Sequence, residues 1–200
     1  MQQALERPLD LPRSRRLKAA THSTHDRLDK AIMAGDPFAS RQRYALFVMV
    51  QHAFHRDIDA LYDDPALDAL LPDLKGRRRL VQIEQDLLDL GTGTPAFDSA
   101  PVFTAGAPVD LPTALGWLYV AEGSNLGAAF LLKEAQKLGL SEDFGARHLA
   151  AAPEGRGLHW RTFTTALDTA SLSEADEARV IAGATTAFQR VHSAAAQMYA

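Results

Sequence analysis

The sequence predicts an all-α fold in a single domain, and three observations carry that expectation. Almost every long segment repeats its apolar residues at three- and four-residue spacing, and no run alternates as a half-buried strand would. Only one long stretch is low in order, "TGTPAFDSAPVFTAGAPVD", where Pro95, Pro101 and Pro108 forbid regular structure. Two hundred residues suit one hydrophobic core, and neither half of the chain would make one alone.

A first helix is expected from about Ser14 to Met33, stopped by "AGDP". Residues 1–13 are expected to be a poorly ordered extension, with residues 14–200 as the domain. A second helix, "RQRYALFVMVQHAFHRDIDALY", follows Ser40 as N-cap. "DDPALDALLP" reads as a short helix with Pro65 in its first turn. "LKGRRRLVQIEQDLLDLG" reads as another, closed by Gly91. After the loop, a long helix should begin behind Asp110 with Pro112 in its first turn and end near Gly139. "SEDFGARHL", "GLHWRTFTTALDTA" and "EADEARVIAGATTAFQRVHSAAAQMY" complete the chain as helices.

Composition excludes several function classes. A net charge of −4 argues against a nucleic-acid binder. With no cysteine, disulfides, iron–sulfur clusters and thiolate metal sites are ruled out. The N-terminus lacks the apolar core of a secretory signal, and no apolar run approaches the ~18 residues of a membrane span. A soluble, cytoplasmic protein without membrane partners is expected.

The segment "LGWLYVAEGSNLGAAFLLKEAQKLGL" raises the main question. Glycine costs a helix interior roughly 1 kcal/mol relative to alanine. Yet at 100° per residue Gly116, Gly123 and Gly127 share a stripe about 40° wide, flanked by Tyr119 and Phe130. Such a surface is mostly backbone. It lets a large planar group lie against the helix, or lets another helix pack closely. Gly123-Ser124-Asn125 in tandem weakens the helix, because serine and asparagine compete for backbone hydrogen bonds, and a kink is expected there.

Seven histidines are candidate metal ligands. On the first helix His25 lies roughly 80° from the centre of the apolar face and His22 roughly 140° from it. His25 therefore borders the core, with Lys18 two turns earlier nearly in line. An imidazole at a pocket edge with a lysine along the same helix suits an iron ligand plus a cation for a cofactor's carboxylates. His52 and His55 stand at helical spacing but lack a third ligand. Gln51 and His55, four apart, could organise water in a pocket. No histidine has Asp or Glu three residues upstream, which disfavours a di-iron site. "GRRRL" at 76–80 reads as a solvated basic turn, or as a docking point for an acidic redox partner.

With both elements in view, the chain resembles the bacterial haem oxygenases from about residue 14 nearly to its end. "ATHSTHDRLD" matches the proximal side and "GWLYVAEGSNLGAAFL" the distal side, with "FGARHL" and "EGRGLHWRTF" in support. The resemblance implies an all-α domain that sandwiches haem between a proximal histidine helix and a kinked, glycine-rich distal helix. It places the proximal ligand on His25, the distal Gly-Ser-x-x-Gly pattern on Gly123, Ser124 and Gly127, and propionate contacts on Lys18 and Tyr119. Phe130 would line the haem slot. Gln51 and His55 would hold distal water, aided by Ser124. In relatives, changes at the two propionate positions go with a rotated haem and a different cleaved meso carbon; the Lys/Tyr pair resembles the α-cleaving pattern.

The implied reaction turns haem into biliverdin, carbon monoxide and ferrous iron. Haem is both substrate and prosthetic group, with no other bound cofactor. The implied partners are O2, an external electron donor such as a ferredoxin or flavoprotein reductase, and a biliverdin-using acceptor protein. A non-catalytic haem carrier or sensor would use the same pocket. The resemblance gives no role to Trp160, His148 or His159.

Overall fold

Seven helices follow one another in the computed structural model, which describes residues 11–96 and 99–199. They are α1 (Arg13–Ala34), α2 (Arg41–Ile58), α3 (Pro65–Leu70), α4 (Leu80–Asp89), α5 (Leu111–Lys137), α6 (Arg156–Thr169) and α7 (Glu174–Met198). No strand occurs among the described residues, only isolated bridges from Ser141 to Phe144 and Gly145. Residues 1–10 of the expected extension lie outside the described residues. Arg13 already belongs to α1, where its guanidinium is buried 2.7 Å from Glu177 of α7.

The helix starts follow from their caps. The Ser40 hydroxyl accepts from the Arg43 amide, and Asp64 accepts from the amides of Ala66 and Leu67 ahead of Pro65. Asp110 caps α5 through Thr113, and Ser173 with Asp176 forms a full capping box on α7. Each cap satisfies amide groups that the helix itself leaves without partners.

Helices α5 and α7 form the spine. A methyl group on Gly116 would overlap the carbonyl oxygen of Val180 and sit 2.6 Å from the amide of Ala184. One on Gly183 would come within 2.5 Å of the Thr113 carbonyl. The two glycines let the helix backbones touch, so Gly116 answers to packing. Around this seam lies the larger core, in which Trp117 stacks on Phe54 of α2 at 5.8 Å between ring centres. A smaller core of Tyr44, Phe47, Ile83 and Leu132 joins α2, α4 and the end of α5.

Three expected elements differ, the first being the second helix, which ends at Ile58 and passes into a 3-10 turn, Asp59–Asp63. The segment 141–149 contains only a short 3-10 turn, Arg147–Leu149, because Asp86 and Asp89 of α4 capture its backbone. The amides of Arg147 and His148 donate to Asp86 and that of Gly145 to Asp89, so they cannot serve a helix. The helix expected to begin at Leu74 starts at Leu80, preceded by a 3-10 turn at Lys75–Arg77. "GRRRL" is no solvated turn: Arg77 and Arg79 are buried, and Arg77 pairs with Glu122 of α5 at 2.6 Å.

Candidate functional site

Helices α1 and α5 both lean on α6 and α7 but pack little against each other. Along the second half of α5 the surface left uncovered is poor in side chains. A methyl group on Gly127 would meet nothing within 4 Å, and one on Gly123 only the rim of the Trp160 ring at 3.9 Å. Beside them Leu126 and Phe130 are exposed, Phe130 to 57%. The glycine stripe thus divides: Gly116 is filled by α7, Gly123 borders the Trp160 rim, and Gly127 faces open space. α5 runs unbroken through Gly123-Ser124-Asn125, so the predicted kink does not interrupt the helix. The Ser124 hydroxyl donates to the Ala121 carbonyl at 2.7 Å and keeps its lone pairs free to accept.

On α1, His25 is 54% exposed and His22 72%. The difference has a cause: the His25 ring stands edge-on against Phe188 of α7, 5.6 Å between centres. Its Nδ1 lies 3.1 Å from Asp29 one turn on. A carboxylate at Nδ1 fixes the ring's tautomer and orientation and leaves Nε2 as the free ligating atom.

Lys18 is exposed, and Tyr119 is buried against Trp160 with ring centres 5.6 Å apart. Ser14, one turn before Lys18, binds Asp168 of α6 through both its amide and its hydroxyl, at 2.7 and 2.9 Å. Burial, then the charge of Asp168, pushes the Tyr119 phenol above its ordinary range.

Gln51 and His55 do not share an environment. Gln51 is half-buried, while His55 is fully enclosed near His148, Arg79 and His52. Burial, reinforced by those three groups, lowers the His55 pKa to about 3, so the ring is neutral at physiological pH. Its Nδ1 has no hydrogen-bond partner among the described residues, as is also true of the buried Tyr62 hydroxyl and of Oε1 of Glu122. Buried polar atoms of this kind are where ordered water is found. No group of three metal-ligating side chains occurs among the described residues.

The three side chains for which the sequence offered no role are placed by the structure. His148 is a strut: its Nδ1 lies 2.7 Å from the fully buried Asp86 and ties the 147–149 turn to α4. His159 is held between Glu154, at 2.7 Å, and Glu122, at 3.3 Å. The Glu122 carboxylate beside it, helped by the bond to Glu154, raises its pKa against the opposing effect of burial. Trp160 lies over Gly123 and Tyr119. Sequence periodicity could not find the contacts of His148 with Asp86, of His159 with Glu122 or of Trp160 with Gly123, since each joins residues far apart in the chain.

Comparison with known proteins bears on this arrangement. Residues 11–196 match the family model for Heme oxygenase. The chain is 44% identical over 178 residues to heme oxygenase PigA of Pseudomonas aeruginosa, covering 89% of this chain and 88% of that one. It superposes with a TM-score of 0.88 and 41% identity on the NO- and CO-bound heme oxygenase from Neisseria meningitidis, covering 94% of this chain and 92% of the other. No described helix is long and apolar enough to cross a membrane. With its all-helical architecture and a match spanning nearly its whole length, the chain belongs to the haem oxygenase family and is an oxidoreductase of that kind.

Proposed function

We propose that this chain binds haem between α1 and α5 and opens it at the α-meso carbon to biliverdin, carbon monoxide and ferrous iron. The single observation that carries the site is the open space in front of Gly127, beside exposed Phe130, on the same helix whose Gly116 is sealed by α7. An uncovered apolar strip with no side chains suits a flat apolar ligand.

When bound, haem supplies both the iron that takes up O2 and the ring carbon that is oxidised. His25 holds the iron through Nε2 while Asp29 fixes the ring. Gly123 and Gly127 present backbone to the opposite face, which keeps acid–base side chains off it and leaves room for oxygen near the ring edge. Phe130 closes the slot. Lys18 supplies a cation and Tyr119 a hydroxyl for the propionates, which would favour a single haem orientation. Gln51 and Ser124 accept from or donate to ordered water, and His55, neutral at physiological pH, would accept from or donate to water within its own enclosure. Electrons come from an external donor of the ferredoxin or flavoprotein-reductase class.

The test is one equivalent of hemin followed by ascorbate in air. A Soret band that gives way to biliverdin absorbance, with carbon monoxide trapped by myoglobin and catalase present, is the expected result. A Soret band stable to reduction in air would make the chain a haem carrier or sensor, and no Soret band would remove the site altogether.

A further inference from the structure

We propose that the first half of α6 is a clamp that positions the haem-facing backbone of α5, with Arg156, His159 and Trp160 as its positioning residues. The inference rests on the reading that Gly123 and Gly127 face haem, and it concerns how that bare backbone is held in place.

Residues 156, 159 and 160 stand at i, i+3 and i+4 and so share one face of α6. All three lie against α5 between Tyr119 and Asn125. Arg156 donates through Nη1 to the Asn125 carbonyl at 3.0 Å, and through Nη2 to the Leu149 carbonyl. In an unbroken helix the Asn125 carbonyl already accepts from the amide four residues on, so the guanidinium is a second donor to a helix-interior carbonyl. His159 reaches Glu122 at 3.3 Å, and the Trp160 ring would sit 3.9 Å from a methyl group on Gly123.

Behind them Arg77 closes the assembly. It is 1% exposed, pairs with Glu122 at 2.6 Å, and donates to the carbonyls of Pro72 at 3.1 Å and of His159 at 3.4 Å. Glu122 is therefore held from two elements at once, immediately before the first distal glycine. Glu154, 2.7 Å from the other nitrogen of His159, keeps that ring aimed.

The arrangement has a physical reason. Gly123 and Gly127 offer no side chain by which the slot side could hold α5, and the glycines themselves lower helix stability. The position of this backbone must then be set by its neighbours, the rim of Trp160 over Gly123 and the charged side chains that reach Glu122 and Asn125. A buried ion pair stabilises little compared with apolar packing of the same volume, but it fixes one geometry. An arginine on a backbone carbonyl fixes the main chain itself, which is the part of α5 that faces the ligand.

Hydrogen–deuterium exchange on the haem-free protein tests the clamp without relying on haem. Arg156→Gln and His159→Gln are compared with wild type, and Arg156→Lys serves as the conservative variant. The expected result is exchange at residues 123–130 faster by about tenfold or more, the size of one lost hydrogen bond to a charged group, with α7 amides unchanged and Arg156→Lys intermediate. With hemin bound, the two Gln variants should turn over about tenfold or more slowly and give a broader mixture of biliverdin isomers, as misplacement of a positioning backbone would cause. Wild-type exchange at 123–130 would overturn the proposal. So would faster exchange spread evenly over every helix, or faster exchange at 123–130 with unaltered turnover and isomer ratio. A wild-type protein that forms no Soret band would overturn the haem reading instead, while the exchange result still decides whether α6 holds α5.

Discussion

Replacing Gly116 and Gly127 by alanine, one at a time, should have opposite effects on the haem-free protein. Both lie on α5, within one stripe, and a helix-interior Gly→Ala change is worth about 1 kcal/mol in its own right. At Gly127 the added methyl meets no atom within 4 Å, so that gain is realised in full. Gly127→Ala should raise Tm by about 2–4 °C for a domain of this size. At Gly116 the methyl overlaps backbone atoms of Val180 and Ala184, which cannot move aside as a flexible side chain would. Overpacking costs about 1–3 kcal/mol, exceeding the propensity gain, so Gly116→Ala should lower Tm. Thermal unfolding followed by far-UV circular dichroism reads both. A second arm asks what the open space is for. Gly127→Leu should fold, yet lower turnover of bound haem by about a hundredfold, because its side chain fills the surface on which substrate is placed. A Gly127→Ala protein destabilised as much as Gly116→Ala would show that the whole stripe is a packing seam. A Gly127→Leu enzyme with wild-type turnover would show that haem lies elsewhere.

His25→Ala should abolish turnover and shift the Soret band, while His22→Ala, losing only an exposed ring, should leave both unchanged; the reverse would move the ligand to His22. Lys18→Ala and Tyr119→Phe should yield mixed biliverdin isomers by chromatography with hemin affinity little changed, and a single unaltered isomer would sink the propionate assignment. Arg77→Met leaves Glu122 buried beside an imidazole alone and should cost about 3–5 kcal/mol in denaturant unfolding, most of it recovered when Glu122→Leu is added. Without that recovery, the cost would come from lost packing of the arginine rather than from an orphaned charge. His55 titrates near 3 when folded, far below an unfolded histidine, so between about pH 6.5 and 3 the unfolded chain takes a proton that the native protein refuses. Its contribution is complete above pH 6.5 and falls by up to about 1.4 kcal/mol per unit as the solution is acidified. A His55→Asn variant should therefore show a shallower loss of stability from pH 6.5 to 4.5, and an identical slope would mean that the ring is hydrated.

Much of this molecule is written at short range. Helix periods, the caps at Ser40, Asp64 and Asp110, and the glycine stripe are local signals, and the helices stand where those signals put them. The offset of His25 from His22 was legible for the same reason, since 100° per residue is enough to rank two positions on one face. The division of the stripe was not. Gly116 and Gly127 are equivalent by angle, and only the approach of α7, through Gly183, separates a packing glycine from an open one. The segment 141–149 failed for a related reason. Its composition permits a helix, but Asp86 and Asp89 supply acceptors for its amides from another helix, and that competition has no trace in the segment itself.

The arginines of "GRRRL" show where a hydropathy reading goes astray. A run of three cations next to a glycine reads as a solvated turn, because an isolated buried charge is prohibitively costly. Arg77 escapes that cost through a carboxylate on α5 and carbonyls of Pro72 and His159, so its burial depends on Glu122, forty-five positions away. Glu122 in turn reads as an unremarkable acidic residue in an apolar helix, until its neighbour is considered. It directly precedes a glycine whose missing side chain leaves the helix little apolar contact at that position beyond the Trp160 rim. A bare helix surface and a buried charge network then become parts of one solution. The first leaves room for a flat substrate, and the second holds in place a backbone that the first has stripped of its own contacts. On that reasoning the charge network and the open glycines stand or fall together. Restoring apolar contacts at Gly123 would make Glu122 and Arg77 dispensable for the position of α5, though not for a functioning slot.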